Sequence, residues 1–277
     1  MNLPAALGGG LGTIGVILAG MGVVSLLETV APLQPRGPCS RAHLAPNLAL
    51  TFITFATNFF LNGGLVLVIG WSESSGFGFL HVVSLSDPLS LAIVVLGLDF
   101  SFYVTHVAMH LRPGLWRFHR VHHSDTAVDV TTTIRQHPGE GVVRLFTVAV
   151  AAVALGASPS SFAAYRLWSA LNGLLEHANL RVPPRLDSLL SLLVVTPNMH
   201  KVHHSRASAE TDTNFGNITS LFDRLFSTFT PARRGADIDY GLDGLDDAQV
   251  RTTAALLALP FRSMPPIGEI PLARPAA

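Results

Sequence analysis

Histidines crowd into short segments of this 277-residue chain, at spacings that suit metal coordination. The first segment, HVAMHLRPGLWRFHRVHH, runs from His106 to His123 and ends in an HxxHH pattern. A second HxxHH pattern occurs in HKVHH, and a single histidine stands between the two in LLEHANL. Residues three and four apart share one helical face, so each pattern displays its imidazoles together. The predicted metal ligands are His106, His110, His119, His122, His123, His177, His200, His203 and His204.

Imidazole is the commonest metal ligand in proteins and suits zinc, copper, iron and nickel. These histidines exceed the four ligands of one tetrahedral zinc ion, which favours a pair of metal ions. Because neutral imidazoles leave the charge of the ions uncompensated, such a pair can stabilise anionic oxygen species between them. The residues therefore predict a site for two metal ions.

The elements that position these histidines have the composition of a membrane protein. Apolar residues make up 49% of the chain, charged residues only 13%, and the mean hydropathy is +0.43. Residues 2–27 and 42–72 contain no Asp, Glu, Lys or Arg, and residues 88–111 contain only Asp99. Each exceeds the roughly 20 apolar residues that cross a bilayer. A fourth apolar window, at 145–165, is broken by glycine and proline and is interpreted as a span or as a helical hairpin dipping into the membrane.

The placement of arginine predicts the orientation of these helices. Arg36 and Arg41 lie between the first two spans and Arg112 follows the third, whereas the loop at 71–87 contains neither lysine nor arginine. Basic residues concentrate in cytoplasmic loops, so this loop is expected outside. We predict an all-α integral membrane protein with about four transmembrane helices and a cytosolic helical cap that contains the histidine boxes.

Beyond the histidines, the segments between Asp99 and Phe229 resemble the fatty acid hydroxylase/sterol desaturase superfamily, whose members are membrane di-iron oxygenases. DFSFYVTHVAMH is similar to an Asp-aromatic-HxxxH helix, and WRFHRVHHSD to a second histidine box. RQHPGE, EHANLRVP and HKVHHS…TDTNFGNITSLFDRLFSTF resemble three further segments, and the tail resembles that of bacterial members at 240–242 and 259–261. The expected regions are an N-terminal transmembrane region at 1–87, a catalytic domain at 88–230 and a cytosolic tail at 231–277.

Two positions depart from the pattern of this family. Val107 stands where the first box often has arginine. Arg181 stands where some lipid hydroxylases have a second histidine after His177. One metal is therefore expected to take a water or Asn179 in place of an imidazole.

Three further side chains are expected beside the ligands. Asp99 lies within a predicted span, where a charged group is costly and functional by default. It is expected to accept an N–H from a ligand histidine, which fixes the tautomer of that imidazole. Asn214 is expected to help orient a ligand, and His137 to lie near the site without being a ligand.

The resemblance implies an O2-dependent oxidoreductase that hydroxylates or desaturates a C–H bond of a membrane lipid, such as a fatty acyl chain, a sterol or a hopanoid. It implies two iron ions as cofactors, with zinc as the alternative occupant in an overexpressed sample. A single cysteine cannot ligate an iron–sulfur cluster, and no flavin or haem motif is visible. A separate reductase, ferredoxin or cytochrome is thus expected to supply electrons, and the bacterial inner membrane is the expected location, with the site facing the cytoplasm.

Other classes of function fit the sequence less well. The balance of 18 basic and 18 acidic residues argues against a nucleic-acid-binding protein. A membrane zinc hydrolase is disfavoured because the HExxH motif is absent. A metal-ion transporter or metal-binding protein that uses the same histidine clusters is the alternative. Transporters place their ligands near the middle of the bilayer, whereas these clusters follow the third span in arginine-rich segments.

Overall fold

The computed structural model describes residues 3–35, 41–232, 237–245 and 250–263. Arg36, Cys39 and the end of the predicted tail lie outside these ranges. The described chain is helical and contains no strand, although Val194 and Thr219 form one of its isolated bridges. Its α-helices are α1 (Leu3–Val30), α2 (Leu44–Ser75), α3 (Phe79–Val82), α4 (Asp87–Leu111), α5 (Pro113–His123), α6 (Pro138–Leu155), α7 (Pro159–His177), α8 (Pro184–Leu190), α9 (Pro197–His203), α10 (Ser208–Thr211), α11 (Leu221–Leu225) and α12 (Thr253–Ala258).

Four segments of the described chain are long and apolar enough to cross a membrane. They are Leu11–Val30, Leu44–Val82, Asp87–Leu111 and Pro138–Leu155. The predicted all-α membrane fold is confirmed. The broken window at 145–165 contains the turn of a helical hairpin, because α6 ends at Leu155, Gly156 caps it with φ at 70°, and α7 begins at Pro159.

The direction of the long helices brings all the histidine segments to one end of the bundle. The turn between α6 and α7 touches the connection after α2, where a Cβ on Gly78 would overlap the backbone nitrogen of Gly156. At the opposite end, Pro32 follows α1 and pairs with Leu180, which follows α7. Helices α1, α4 and α7 therefore run toward the histidine end, whereas α2 and α6 run away from it.

Apolar side chains fill the interior of the bundle and also cover its outside. Ile69 packs with Leu98 and Val148 in the core between α2, α4 and α6. On the outer surface of α2, Phe60 is 79% exposed and Leu67 is 75% exposed. Large exposed apolar surfaces mark contact with a membrane or with another protein, which fits helices surrounded by lipid.

A buried arginine fixes the helical turn that contains two of the histidines. Arg135 is only 1% exposed and donates to Val121 O at 3.0 Å, to Asn47 Oδ1 at 2.6 Å and to Ser124 Oγ at 3.0 Å. Asn47 belongs to α2, whereas Val121 and Ser124 lie at the end of α5. Arg135 thus ties the end of α5, with His122 and His123, to a membrane-length helix.

Candidate metal centre

The nine histidines singled out by spacing lie in two adjacent buried groups. The five-histidine group consists of His106, His110, His119, His123 and His203, and the four-histidine group of His122, His177, His200 and His204. Within each group the candidate ligand atoms all lie within 4.8 Å of one another. The groups are in contact, since the rings of His123 and His204 stack with centroids 4.6 Å apart. This placement suits two neighbouring metal ions, while the role of each histidine as a ligand stays a prediction.

Each HxxHH pattern is divided between the two groups. In the first pattern the residues four apart, His119 and His123, belong to the five-histidine group, whereas His122 belongs to the other. In the second pattern His200 and His204 belong to the four-histidine group, whereas His203 belongs to the five-histidine group. Each HxxHH pattern therefore places two imidazoles in one group and the third imidazole in the other group. This division holds the two groups side by side.

Hydrogen-bond acceptors surround the five-histidine group and orient its rings. Each Nδ1 atom faces an acceptor outside the group: Phe215 O at 2.8 Å for His106, Asp212 Oδ1 at 3.0 Å for His110, Glu140 Oε1 at 3.0 Å for His119, Thr211 Oγ1 at 3.4 Å for His123 and Thr213 O at 2.8 Å for His203. An Nδ1–H that donates outward leaves the Nε2 lone pair free to bind a metal. These contacts favour the tautomer in which Nδ1 carries the proton and Nε2 is available to a metal ion.

The inward nitrogen atoms fit a cation at the centre of this group. Nε2 of His119 lies 3.0 Å from Nε2 of His106 and 3.2 Å from Nε2 of His123. With Nδ1 protonated in each ring, these contacts set lone pair against lone pair. The Nε2 atoms of His110 and His203 are buried and have no hydrogen-bond partner in the described chain. A metal ion at the centre of the group would bind these Nε2 lone pairs, so the five-histidine group fits a metal ion.

The four-histidine group shows the same convergence with fewer outer partners. Nε2 of His177 lies 3.0 Å from Nε2 of both His122 and His200, and its Nδ1 donates to Gly173 O at 2.8 Å. Both ring nitrogens of His204 are buried and have no hydrogen-bond partner among the described residues. Unpaired buried polar atoms are costly, and a second metal ion would provide a partner for one of these two nitrogens.

Burial keeps the imidazoles outside the membrane-length helices neutral. Desolvation lowers the pKa of His119, His122, His123, His203 and His204 well below the usual value of 6.5, and neighbouring histidines add to the effect. The neutral form is the one that binds metal. In the unfolded chain these histidines take up protons at the usual pKa of about 6.5, whereas in the folded chain they stay neutral to lower pH. The free energy of unfolding is therefore highest above about pH 6.5 and decreases as the pH falls below it.

The carboxylate behind His110 provides a test of this outer layer. Loss of such a partner typically lowers metal affinity by about 10- to 100-fold. We expect Asp212→Asn, which keeps an oxygen acceptor and removes the charge, to lower metal retention by about that factor, measured as metal content after dialysis against graded chelator. Asp243→Asn is the control, because Asp243 forms a surface ion pair with Arg206 and is 83% exposed. Equal retention in the two variants would contradict the role of Asp212.

Asp99 does not make the contact that its position in the sequence suggests. Its carboxylate accepts hydrogen bonds from the backbone nitrogens of Ile218 at 3.0 Å and Thr219 at 2.9 Å. At 1.5 Å per residue, Asp99 lies about 10 Å along α4 from His106. The predicted hydrogen bond from a ligand histidine to Asp99 is therefore wrong. Asp99 instead fixes the segment after α10 against α4, and Phe215 in that segment supplies the acceptor for His106.

Asn179 also forms its hydrogen bonds with backbone and not with the histidines. Its Oδ1 accepts from Gln34 N and its Nδ2 donates to Gln34 O, both at 2.9 Å. Because both ends of the amide are engaged, the expectation that Asn179 replaces an imidazole is corrected. The residue connects the end of α7 to the segment that follows α1.

Glu176 lies beside the four-histidine group and was missed in the sequence. Its Oε1 lies 3.6 Å from Nδ1 of His177 and 3.9 Å from Nε2 of His200, and its Oε2 is buried without a hydrogen-bond partner in the described chain. The smaller group thus has an oxygen acceptor at its edge. Glu176 could have been found from its place directly before His177, in a segment that resembles the fatty acid hydroxylase/sterol desaturase superfamily.

His137 and Asn214 have structural contacts. The Nδ1 of His137 accepts from Gly139 N at 3.0 Å and caps α6, while its ring packs on Phe118 and Phe261. His137 belongs to neither histidine group. Asn214 donates to Met199 O at 3.0 Å and accepts from Thr230 N at 2.8 Å. It therefore holds the turn whose neighbouring carbonyls face His203 and His106, which is an indirect form of the predicted orienting role.

Glu140 is a second acidic residue that sequence reasoning left without a role. It is 1% exposed, accepts from Nδ1 of His119 at 3.0 Å, and forms an ion pair with Arg144 at 2.8 Å. The RQHPGE segment was noted for its resemblance, but the distance of 21 positions between Glu140 and His119 gave no indication that they meet.

Membrane-length helices beneath two buried histidine groups define an all-α protein with four candidate membrane spans and two imidazole groups that could hold metal ions. Residues 91–228 match the family model for fatty acid hydroxylases. The chain therefore carries a fatty acid hydroxylase domain, and the predicted family resemblance is confirmed.

Curated relatives of this chain act on lipids according to their names. An ornithine lipid hydroxylase from Rhizobium tropici is 34% identical over 173 residues, which cover 61% of this chain and 50% of that protein. An alkylglycerol monooxygenase from Danio rerio is 32% identical over 154 residues, covering 54% of this chain and 32% of that protein. The chain thus spans half or less of the length of these relatives. No solved structure shows a significant match to it.

Proposed function

We propose that this protein is a membrane-bound, O2-dependent hydroxylase of a membrane lipid that uses two iron ions. The observation that carries the proposal is the pair of adjacent, buried imidazole groups at one end of membrane-length helices. The relatives named as a lipid hydroxylase and a monooxygenase support hydroxylation over desaturation. The catalytic domain is taken to extend from 88 to 230, close to the 91–228 of the family match.

The roles of the protein's own residues follow from their contacts. Iron held by the two histidine groups would supply the activation of O2. The carbonyl, carboxylate and hydroxyl acceptors behind the five-histidine group keep its Nδ1 protons directed outward, which fixes the rings before any metal binds. The burial of all nine histidines excludes bulk water, which limits side reactions of a strongly oxidising centre.

The position of the site and the motifs of the sequence also indicate the substrate and the partners. A lipid already resident in the membrane can reach a site at the end of these helices without leaving the bilayer. Electrons are assigned to a separate donor, a reductase, ferredoxin or cytochrome, since the sequence shows no flavin, haem or iron–sulfur motif. A metal transporter is not favoured, because both histidine groups lie at one end of the long helices and not midway along them.

The orientation of the site is part of the proposal, with the histidine end facing the cytoplasm of a bacterial cell. In a Cys39→Ser background, an impermeant thiol reagent added to intact cells should label Glu73→Cys at the end of α2 and should not label Arg112→Cys. Both positions are exposed at opposite ends of the bundle. Labelling in the reverse pattern would place the histidine groups on the outside.

Incorporation of oxygen from O2 into a lipid is the direct test of the function. Cells that express the chain should contain lipid species with one additional oxygen atom, and growth under labelled O2 should mark that atom. A His204→Ala variant should produce none. Lipid profiles that are identical in the native organism with and without the gene would overturn the proposal, and species lacking two hydrogens would replace hydroxylation by desaturation.

A further inference from the structure

Exposed leucines cover a surface that lies outside the four membrane-length segments. The sequence from 184 to 193 reads PRLDSLLSLL, and Leu189 and Leu193 within it are each 64% exposed. The later segment at 221–226 adds Leu225, which is 72% exposed. The leucine surface is defined here by the exposed apolar side chains of both segments, namely Leu186, Leu189, Leu190, Leu192, Leu193, Leu221, Leu225 and Phe226.

Hydrogen bonds join these two segments into one unit. Ser220 donates through its backbone to Leu193 O at 3.2 Å and through its side chain to Ser191 O at 2.7 Å. Arg224 donates from Nη2 to the same Ser191 carbonyl at 2.7 Å. The leucines before 194 and those after 220 therefore lie on neighbouring backbone and form a continuous surface.

The anchor of this unit lies at the middle of a membrane-length helix. Asp99 is the midpoint of α4, about 18 Å from either end at 1.5 Å per residue. Its carboxylate binds the backbone of Ile218 and Thr219, directly before the second leucine segment. The hydrocarbon core of a bilayer is about 30 Å thick, so backbone held at this level of α4 lies within the hydrocarbon.

The leucine surface is also continuous with the outer face of α4. Phe100 is 39% exposed on that helix, and Phe222 and Phe226 pack on its ring with centroids 5.1 Å and 5.9 Å away. Phe226 itself is 50% exposed. The apolar surface of a membrane-length helix thus extends without interruption onto the segment that contains the leucines.

The polar groups of the two segments are arranged for an apolar environment. Backbone inside a bilayer must satisfy its hydrogen bonds within the protein. Leu193 N donates to Leu190 O at 3.0 Å, and Phe226 N donates to Phe222 O at 2.9 Å. The buried carboxylate of Asp223 accepts hydrogen bonds from Phe215 N at 2.7 Å and Gly216 N at 2.9 Å, whereas Arg185 at the start of the first segment is exposed. An exposed arginine before the leucines fits a position among the lipid headgroups, with the leucines in the adjacent acyl chains.

We propose that the leucine surface is embedded in the acyl chains of the leaflet on the histidine side. Residues 184–194 and 218–226 then form a re-entrant unit, held in the bilayer by Asp99. The exposed Arg206, between these two segments in the sequence, belongs to the part of the expected cap that contacts water. The occupant is lipid because the surface adjoins an already lipid-facing helix at hydrocarbon depth. Contact of this surface with lipid does not depend on the reaction that the histidine groups support.

Fluorescence quenching in nanodiscs tests this contact on the full chain. Single cysteines replace Leu189, Leu193 or Leu225 in a Cys39→Ser background and are labelled with an environment-sensitive dye. Leu67→Cys on α2 serves as the lipid-facing control and Arg206→Cys as the water-facing control. We expect nitroxide lipids labelled on the acyl chain to quench the three leucine positions several-fold more than Arg206→Cys, to the level of Leu67→Cys, and aqueous iodide to show the opposite order.

The alternative outcomes are distinct. Quenching of the leucine positions by iodide, at the level of Arg206→Cys, would place the surface in water and overturn the proposal. Weak quenching by both reagents, together with pyrene excimer emission between labelled chains, would show a second copy of the protein on this surface and would also overturn it. Three separate positions protect the result against one misfolded variant, and metal content identifies such a variant.

Discussion

Alanine at His119 should remove the metal ion of the five-histidine group and leave the other in place, and alanine at His200 should do the reverse. His119 stands at the centre of its group, with Nε2 at 3.0 Å from His106 and 3.2 Å from His123. His200 contacts His177 at 3.0 Å in the other group. Metal content after anaerobic purification should therefore fall in each variant from about two ions per chain to about one, because the number of ligands favours two metal ions.

Lipid oxidation should fall further than metal content in both variants. Loss of an outer partner of a ligand costs about 10- to 100-fold in activity or affinity, so loss of a ligand should cost more than about 100-fold. The matched control is His137→Ala, which removes a histidine that packs on Phe118 and Phe261 outside both groups. It should keep both ions. Unchanged metal content in the His119 and His200 variants would contradict the assignment of these groups as metal sites.

The sequence was sufficient to predict that the histidines four residues apart in each HxxHH pattern meet. Spacings of three and four residues place imidazoles on one helical face, and that local rule holds for His119 with His123 and for His200 with His204. The membrane-length helices were predictable for a similar reason, because the absence of charges over a bilayer's thickness depends only on neighbouring residues.

Pairings across long distances in the chain were beyond such local rules. No spacing indicates that His122 and His203 cross into the opposite groups, since that depends on how α5 and α9 face each other. The same limit explains Asp99, whose carboxylate was expected at a histidine and instead binds backbone 119 positions away at Ile218. A buried charge in a span predicts that a partner exists, but only the packing of the segments decides which partner it is.

Replacing the buried Lys201 by methionine should destabilise the fold and loosen the four-histidine group. Lys201 is 0% exposed, and its Nζ donates to Val128 O and to His177 O, each at 2.7 Å. Methionine keeps the apolar stem and removes the donor, so two buried carbonyls lose their hydrogen bonds to Nζ. An unsatisfied buried acceptor costs about 1–3 kcal/mol, which predicts a loss of about 2–6 kcal/mol in the free energy of unfolding, measured by thermal or denaturant unfolding in detergent micelles.

The position of Lys201 also predicts which metal ion is lost first. Its ammonium group holds the backbone of His177 at the end of α7, and His177 contacts both His122 and His200. Metal retention under chelator should therefore fall in the four-histidine group before the other, as in His200→Ala. Arg206→Met is the control, because Arg206 lies in a surface ion pair with Asp243, and such pairs contribute about 0–1 kcal/mol. If Lys201→Met matched this control in both stability and metal retention, the buried ammonium group would have no part in holding His177 in place.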